Sequence, residues 1–253
     1  MNPIYGPVPS WRLGRSLGID PICCLKTCSF DCLYCQLGKT TNKTCERKMF
    51  VDETLIKKEL EDIIDKVDVD VITLSGSGEP TLAKNLSKIV KIVKEVTSLP
   101  IAVLTNSSLL YSSSVRRSLN KVDIVMAKLD APNEFLFKKI NKPIRDIKFG
   151  DMIEGITKLR NGFSGKFCIQ IMFIEWNRGV AKELASLTRE IEPDEVQINT
   201  PLRPSKMKPL GKNVIEKIKP YFKGLNIVSV YDREKPEVKI VDVNETLMRR
   251  PEI

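Results

Sequence analysis

The sequence predicts an α/β fold, namely a partial (β/α)6 barrel of the TIM type, built of parallel strands and followed by a short C-terminal extension. From residue 53 onward, segments with apolar residues at helical spacing alternate with short β-branched runs. Helices of about ten to fifteen residues between strands indicate right-handed crossovers and a parallel sheet. The number of such units, about six or seven, falls short of the eight in a complete barrel. An open doubly wound sheet is the alternative.

The first helix is predicted over residues 53–67, and the strand that follows it over residues 69–74. The same two patterns recur along the chain, with helices at 85–96, 112–119, 151–160, 182–191 and 214–222 and strands at 101–105, 122–129, 167–174, 195–200 and 225–230. An N-terminal strand is predicted near residues 17–22. After the last unit we expect an edge strand at 238–243 and a mobile tail at 248–253.

The chain shows no Pro-rich or Gly-rich linker, which favours a single domain. We assign residues 1–224 to the barrel and residues 225–253 to a strand extension and tail packed on the same domain. In both candidate architectures ligands bind beyond the carboxyl ends of the strands. The residues that directly follow each strand are therefore the candidates for a functional site.

The composition excludes several familiar catalytic sites. The 253 residues include no histidine, so a Ser-His-Asp triad, a Cys-His dyad and histidine-based zinc or iron sites cannot be built from this chain. The 42% of apolar residues suffices for a core, and the net charge is +9. The seven cysteines are the most distinctive chemical groups. In a reducing compartment, an odd number of clustered cysteines indicates metal ligation or thiol chemistry rather than disulfides.

Neither a secretory signal nor a membrane span is expected. The N-terminus lacks a basic stretch followed by a long apolar run. The longest uncharged stretch, between Glu95 and Arg116, is interrupted by Pro100 and many polar side chains. We therefore expect a cytoplasmic protein without a membrane partner.

Three cysteines form a closely spaced motif in the loop after the first predicted strand. Cys28, Cys32 and Cys35 follow the pattern C-x3-C-x2-C. Three thiolates can hold three corners of a [4Fe–4S] cluster and leave the fourth iron open for a substrate or cofactor. The alternative is a structural zinc site completed by Cys23, Cys24 or Cys45, although zinc ribbons usually carry two CxxC pairs. Whether these three cysteines or Cys168 bind a second metal centre stays open.

This motif, with Tyr34 directly before the last cysteine and an alternating β/α chain, resembles the radical S-adenosylmethionine (SAM) superfamily. The resemblance implies that Cys28, Cys32 and Cys35 hold a [4Fe–4S] cluster whose open iron is chelated by the amine and carboxylate of SAM. It also implies that one electron from the cluster cleaves SAM to a 5′-deoxyadenosyl radical, which abstracts hydrogen from the substrate. Ferredoxin or flavodoxin would supply the electron. We assign Tyr34 to the cofactor site.

A Gly-rich turn follows the strand predicted at 69–74. The run Gly76-Ser77-Gly78-Glu79 resembles the Gly-Gly-Glu-Pro motif of the superfamily, with Ser77 in place of the first glycine of the pair. The resemblance implies that this turn and Glu79 receive the SAM amino group, whereas an ordinary tight turn is the alternative. Asn106, which follows the next strand, stands where the family uses an asparagine near the SAM ribose or carboxylate. Asparagine is also a common turn former.

Polar residues follow the later strands as well. Lys128 and Asp130 share a face with Met126, where charged side chains are costly unless they are used. We interpret Lys128 as a partner of the SAM carboxylate and Asp130 as a partner of the ribose or substrate; the alternative is a pair that emerges into solvent. Gln170 and Asn199, on the fifth and sixth strands of the series, are assigned to the same cofactor site.

Further segments narrow the resemblance to the radical SAM group similar to the tRNA wyosine-synthesising (4-demethylwyosine synthase-like) enzymes. They are residues 6–20, 78–82 and 197–201, together with the cysteine loop. This subgroup implies a tRNA substrate.

Two basic clusters are predicted in loops near strand ends. The first comprises Lys138, Lys139, Lys142, Arg145 and Lys148, and the second comprises Arg203, Lys206, Lys208 and Lys212. Such clusters would attract tRNA or an acidic electron donor, unless they are simply solvated lysines.

The sequence thus predicts an iron–sulfur radical SAM enzyme, with RNA modification as the leading substrate class. Modification or activation of a protein or peptide is the alternative substrate class. A zinc-stabilised nucleic-acid-binding module without catalytic activity is the alternative of a different kind.

Overall fold

The computed structural model describes residues 2–251, and its centre is an eight-stranded sheet curled into a half-barrel. Along the sheet the strands lie in the order β1-β2-β5-β6-β7-β8-β9-β10, and all neighbours are parallel except the antiparallel pair β1 and β2. Their bounds are β1 Ile4–Ser10, β2 Gly14–Ile19, β5 Val71–Leu74, β6 Ile101–Thr105, β7 Ile124–Lys128, β8 Lys166–Met172, β9 Glu195–Asn199 and β10 Ile227–Ser229. The short strands β3 Thr27–Cys28 and β4 Asn42–Lys43 pair separately.

Helices connect the parallel strands, as expected for right-handed crossovers. They are α1 Glu53–Ile63, α2 Leu86–Val96, α3 Ser113–Leu119, α4 Glu134–Ile140, α5 Phe149–Gly162, α6 Ala181–Ile191, α7 Lys212–Ile218 and α8 Val243–Arg249. The predicted partial barrel is confirmed. The strand predicted at 101–105 has the bounds of β6, and the other predicted helices and strands up to residue 230 differ from the observed ones mainly at their ends.

The local sequence explains why these elements form. In α2, Leu86, Ile89, Val90 and Val93 lie on one face and are buried in the core. All four residues of β5 are buried, which is typical of a parallel strand covered on both faces. The hydrophobic effect of this burial is what holds the helices against the sheet.

Two predictions for the C-terminal region were wrong. Residues 238–243 do not form an edge strand: residues 234–240 have no regular structure, and Val243 begins α8. Met248 and Arg249, two residues of the predicted mobile tail, lie in α8, and the Arg249 side chain is almost fully buried. The reason is that this seven-residue helix packs on β1 through the polar residues Thr246 and Arg249, whose burial gives no apolar periodic signal in the sequence. Residues 252 and 253 of the predicted tail lie outside the described residues.

Two further elements escaped prediction. β1 is interrupted by Pro7 and Pro9, which are tolerated because it is an edge strand. α4 is rich in charged residues, and it contains Lys138 and Lys139, so the prediction that these two lysines lie in a loop is wrong.

The two edges of the sheet meet through the β1–β2 turn. Trp11, in this turn, packs against Val228 and Val230 at the end of the opposite edge strand, β10. β10 pairs with β9, although the predicted division at residue 224 itself stays a prediction. None of the helices within residues 2–251 has the length and apolar character that a membrane crossing requires.

Candidate metal and cofactor site

The loop that carries Cys28, Cys32 and Cys35 is tied to the body of the protein by backbone hydrogen bonds. The Leu33 amide donates to the Ile140 carbonyl at 2.9 Å, at the end of α4, and the Cys35 amide donates to the Cys32 carbonyl at 3.1 Å. All three thiols are half-buried. The loop therefore presents its sulfur atoms from a fixed backbone beside the carboxyl ends of the strands.

Nitrogen donors lie against two of the sulfur atoms. The Asn106 amide group lies 3.4 Å from Cys28 Sγ, and the Asn141 amide group lies 3.5 Å from Cys32 Sγ. The Phe30 backbone amide also donates to Cys28 Sγ, at 3.5 Å. Donors directed at sulfur stabilise its anionic form, which is the form that binds iron.

Burial disfavours the thiolates when no cation is present. Burial, the neighbouring Cys35 and Asp130 raise the pKa of Cys32 to about 12. Burial also raises the pKa of Cys28, and Glu79 and the other two thiols raise it further. Three thiolates in this place would repel one another unless positive charge lay between them. The donor set therefore fits an iron–sulfur cluster.

Within residues 2–251, no three His, Cys, Asp or Glu side chains converge on a point that could hold a single metal ion. A cubane cluster does not require its ligands to converge on one point, because each thiolate binds a different iron and the sulfur atoms stay apart.

The Gly-rich turn after β5 is held against β3 of the cysteine loop. The Thr27 amide donates to the Ser77 carbonyl, and the Glu79 amide donates to the Thr27 carbonyl, both at 3.1 Å. A Cβ atom on Gly78 would lie 1.6 Å from the Thr27 carbonyl oxygen, so only glycine fits there. Ser77 has its own role, because its amide donates to Asp20 Oδ2 at 2.9 Å and its hydroxyl donates to the same oxygen.

The carboxylate of Glu79 joins the turn to the end of β6. Glu79 Oε1 accepts hydrogen bonds from the Thr81 hydroxyl at 2.6 Å and from the Thr105 hydroxyl at 2.7 Å. Glu79 Oε2 accepts one from the backbone amide of Asn106 at 2.6 Å. Burial raises the pKa of Glu79, although these donors act in the opposite direction. The carboxylate thus fixes Asn106, which in turn contacts Cys28.

A second carboxylate, that of Asp130, organises the region after β7. Tyr34 donates its hydroxyl to Asp130, and Asn141 donates to the same oxygen at 2.8 Å. The other oxygen accepts from the Met172 amide at 2.8 Å and lies 3.5 Å from Lys128 Nζ. Lys128 also stands 4.7 Å from the centre of the Tyr34 ring. The predicted residues Tyr34, Lys128 and Asp130 are therefore brought together beside Cys32.

Gln170 and Asn199 lie on the strands that continue this edge. In the register of the sheet, Gln170 neighbours Lys128, and Asn199 neighbours Met172. The Gln170 side chain is buried, and its amide nitrogen has no hydrogen-bond partner within the described part of the chain. Asn199 lines a cavity of about 110 Å³.

Sequence reasoning missed residues that support the site. Asp20 holds Ser77, and Asn141 joins Asp130 to Cys32. A lone aspartate or asparagine in a polar segment carries no pattern that would have marked it. The remaining cysteines differ: Cys168 is buried on β8, while the thiol of Cys24 lies 3.3 Å from the Leu25 carbonyl.

Comparison with known proteins identifies relatives over nearly the whole chain. Residues 22–188 match the family model described as the radical SAM superfamily. A UPF0026 protein of Synechocystis sp. (strain ATCC 27184 / PCC 6803 / Kazusa) is 42% identical over 241 residues, which cover 94% of this chain and 87% of that protein. A UPF0026 protein of Methanocaldococcus jannaschii is 38% identical over 88% of this chain and 71% of its own length.

Among solved structures, Streptococcus suis SuiB bound to S-adenosylmethionine resembles the chain with a TM-score of 0.67 and 16% identity. The match covers 86% of this chain and 50% of SuiB, so the chain spans half of that longer protein. At this identity the likeness shows a shared fold.

Proposed function

Because the chain belongs to the radical SAM superfamily, it is an enzyme that uses a [4Fe–4S] cluster and SAM, and we propose that Cys28, Cys32 and Cys35 hold that cluster. The observation that carries this proposal is the set of amide donors from Asn106, Asn141 and the backbone directed at the loop's sulfur atoms. The superfamily chemistry also requires a one-electron donor. Membership overturns the zinc-stabilised binding module as an alternative.

The proposed SAM site is the edge formed by the Gly-rich turn and the ends of β6 to β9. When bound, the cluster supplies the electron that cleaves SAM to a 5′-deoxyadenosyl radical, which abstracts hydrogen from the substrate. Glu79 and Asp130 shape this site, since their carboxylates are satisfied by protein donors. Lys128, Gln170 and Asn199 are the proposed direct contacts. The chain's own part is to hold SAM in place and to exclude water from the radical.

For the substrate, we propose RNA, in keeping with the resemblance to the tRNA wyosine-synthesising group. A cavity of about 340 Å³ is lined by Cys32 and Cys35 and by Lys39, Lys142 and Lys206. Lysines from both predicted basic clusters thus lie beside the proposed cluster ligands. A polyanion such as tRNA would be attracted to this surface, and its binding would weaken steeply with salt.

An acidic ferredoxin or flavodoxin would find the same lysines beside the cluster. We place this encounter in the cytoplasm, where such donors and tRNA are both available. A protein or peptide substrate stays the alternative to RNA, and a comparison of tRNA nucleosides distinguishes these two substrate classes.

Anaerobic purification followed by iron and sulfide analysis tests the cluster. We expect Cys32→Ala to lose iron and to abolish reductive cleavage of SAM to 5′-deoxyadenosine. Undiminished cleavage by this variant would show that the assigned ligands are wrong.

A comparison of modified nucleosides in total tRNA from cells with and without the gene tests the substrate class. We expect one modified nucleoside to disappear without the gene, and to return with the wild-type gene but not with Cys32→Ala. An unchanged nucleoside profile would favour protein substrates.

A further inference from the structure

The cavity of about 110 Å³ beside the proposed SAM site is lined by three arginines, Arg12, Arg203 and Arg250. Arg12 lies in the turn between β1 and β2, Arg203 follows β9, and Arg250 directly follows α8. No Asp or Glu among residues 2–251 lines this cavity. Three segments that are distant in sequence therefore bring positive charge to one place without an acidic residue to balance it.

Two of these arginines carry buried nitrogen atoms that have no partner. In the described part of the chain, Nε of Arg12 and Nε of Arg203 are buried and form no hydrogen bond. The side-chain hydrogen bonds that Arg203 and Arg250 do form are to neutral groups. Arg203 Nη1 donates to Gln36 Oε1 at 3.3 Å, and Arg250 Nη2 donates to the Ser75 hydroxyl at 2.7 Å. The arginine ion pairs formed within the described residues all involve other arginines.

Arg249 shows how this fold treats an arginine that only supports structure. Its Nε lies 2.8 Å from Asp20 Oδ2, and its Nη1 lies 2.6 Å from Glu245 Oε2. The chain thus supplies two carboxylates to Arg249 and none within the described residues to its neighbour Arg250. An unpaired buried charge is strongly unfavourable, so it is expected where a ligand of opposite charge completes the site.

The electrostatics agree with this geometry. Burial, together with Arg203 and Arg250, lowers the pKa of Arg12 to about 10. Burial and Arg250 lower the pKa of Arg203 to about 10 as well. Both groups stay charged at neutral pH, where their mutual repulsion has to be balanced from outside the protein.

We propose that Arg12, Arg203 and Arg250 form a binding site for a phosphate group of the substrate. Guanidinium groups bind phosphate oxygens through paired N–H donors, and several positive charges suit a phosphate better than a single carboxylate. Tyr34 and Asn199 line the same cavity, which places the anion next to the proposed SAM site. The inference rests on the proposed function only in taking this phosphate as part of the substrate.

Isothermal titration calorimetry of the anaerobically reconstituted enzyme tests the site. The probes are inorganic phosphate, adenosine 5′-monophosphate and succinate, and the variants are Arg203→Gln and, as a matched surface control, Arg117→Gln. We expect saturable binding of both phosphate compounds and weaker binding of succinate. Arg203→Gln should raise the Kd for phosphate about tenfold or more, whereas Arg117→Gln should leave it unchanged.

Equal phosphate binding by Arg203→Gln and the wild type would overturn the site, as would preferential binding of succinate. Thermal unfolding separates a folding defect from a lost ligand: without phosphate, Arg203→Gln should melt at or above the wild-type temperature because a like charge is gone. A much lower melting temperature would mean that Arg203 is structural and would also overturn the inference. The readout is binding, so absence of SAM cleavage would refute the proposed function and leave this result standing.

Discussion

Two sides of the barrel mouth treat buried polar groups differently. On the cluster side, formed by the cysteine loop with Glu79, Asn106 and Asp130, every carboxylate oxygen has a donor and two sulfur atoms receive an amide. On the arginine side, formed by Arg12, Arg203 and Arg250, guanidinium nitrogens are buried without partners among residues 2–251. The two sides therefore differ in how far the protein itself satisfies their polar groups.

On the cluster side the protein supplies the hydrogen-bond partners itself, whereas on the arginine side it does not. Side chains that already form hydrogen bonds within the protein hold the cofactor's ligands in position. These side chains therefore lose no conformational freedom when the cofactor binds. Groups without partners gain most from a ligand that supplies them. We therefore expect changes on the cluster side to harm the protein itself and changes on the arginine side to harm substrate binding.

The largest effect should come from a cysteine ligand. Cys35→Ala should lose most of the iron and all SAM cleavage, because one corner of the proposed cluster is no longer held. The matched control is Cys45→Ser, outside the motif, which should keep both. The measurements are iron and sulfide content after reconstitution, and 5′-deoxyadenosine formed. Equal losses of iron and of SAM cleavage in the two variants would show that the cysteines of the motif are not the specific cluster ligands.

The second prediction compares how the free energy of unfolding changes when one charged group is removed from each side. Asp130→Ala leaves Lys128, Tyr34 and Asn141 without their shared acceptor in a buried place. It should lower the free energy of unfolding by about 3–5 kcal/mol. Arg203→Gln, on the arginine side, should not lower it in phosphate-free buffer. Urea unfolding of the anaerobic proteins measures both, and a similar loss in both variants would erase the distinction between the sides.

The third prediction tests the close approach in the Gly-rich turn. Gly78→Ala forces a Cβ against the Thr27 carbonyl and should cost about 1–3 kcal/mol while displacing the cysteine loop. Gly162→Ala, at the end of α5 where a Cβ meets no atom within 4 Å, should be neutral or slightly stabilising. Unfolding free energy and iron content are measured together. Full iron content in Gly78→Ala would show that the turn and the loop are not coupled.

The sequence predicted the cluster side far better than the arginine side. The C-x3-C-x2-C spacing and the run Gly76-Ser77-Gly78-Glu79 are local patterns, and the carboxyl ends of parallel strands lie together whatever the details of packing. Lys128 and Asp130 could be placed on one face from alternation alone. Local motifs and the order of the strands were therefore enough to predict that these residues lie together.

The arginine side depends on contacts that no local pattern encodes. Arg12, Arg203 and Arg250 come from a hairpin turn, a loop and the end of a seven-residue helix, and only the folded chain brings them together. The strand at residues 238–243 was wrongly predicted for the same reason, because among the described residues this segment pairs with β1 only through Val241 and Asp242, which meet Gly6. Asn141 was missed since its role depends on Asp130 and Cys32, which are distant in the sequence.

The smallest predicted effect concerns the amide that Asn141 directs at Cys32 Sγ from 3.5 Å. A donor to a ligating sulfur stabilises the more negative, reduced state of a cluster. Asn141→Leu should therefore make the midpoint potential more negative, by about 40 mV if the hydrogen bond contributes about 1 kcal/mol to the difference between the two states. Redox titration followed by electron paramagnetic resonance measures this shift.

Asn133→Ala is the matched control for this shift. Asn133 accepts a hydrogen bond from the Leu136 amide at 3.0 Å and caps α4, so its loss should cost about 1 kcal/mol of stability without changing the potential. Because α4 leads to Asn141, this control also separates a loosened helix from a lost donor. A shift of the same size in both variants would mean that helix position tunes the cluster; an unchanged potential in Asn141→Leu would place the tuning in the backbone amides of the loop.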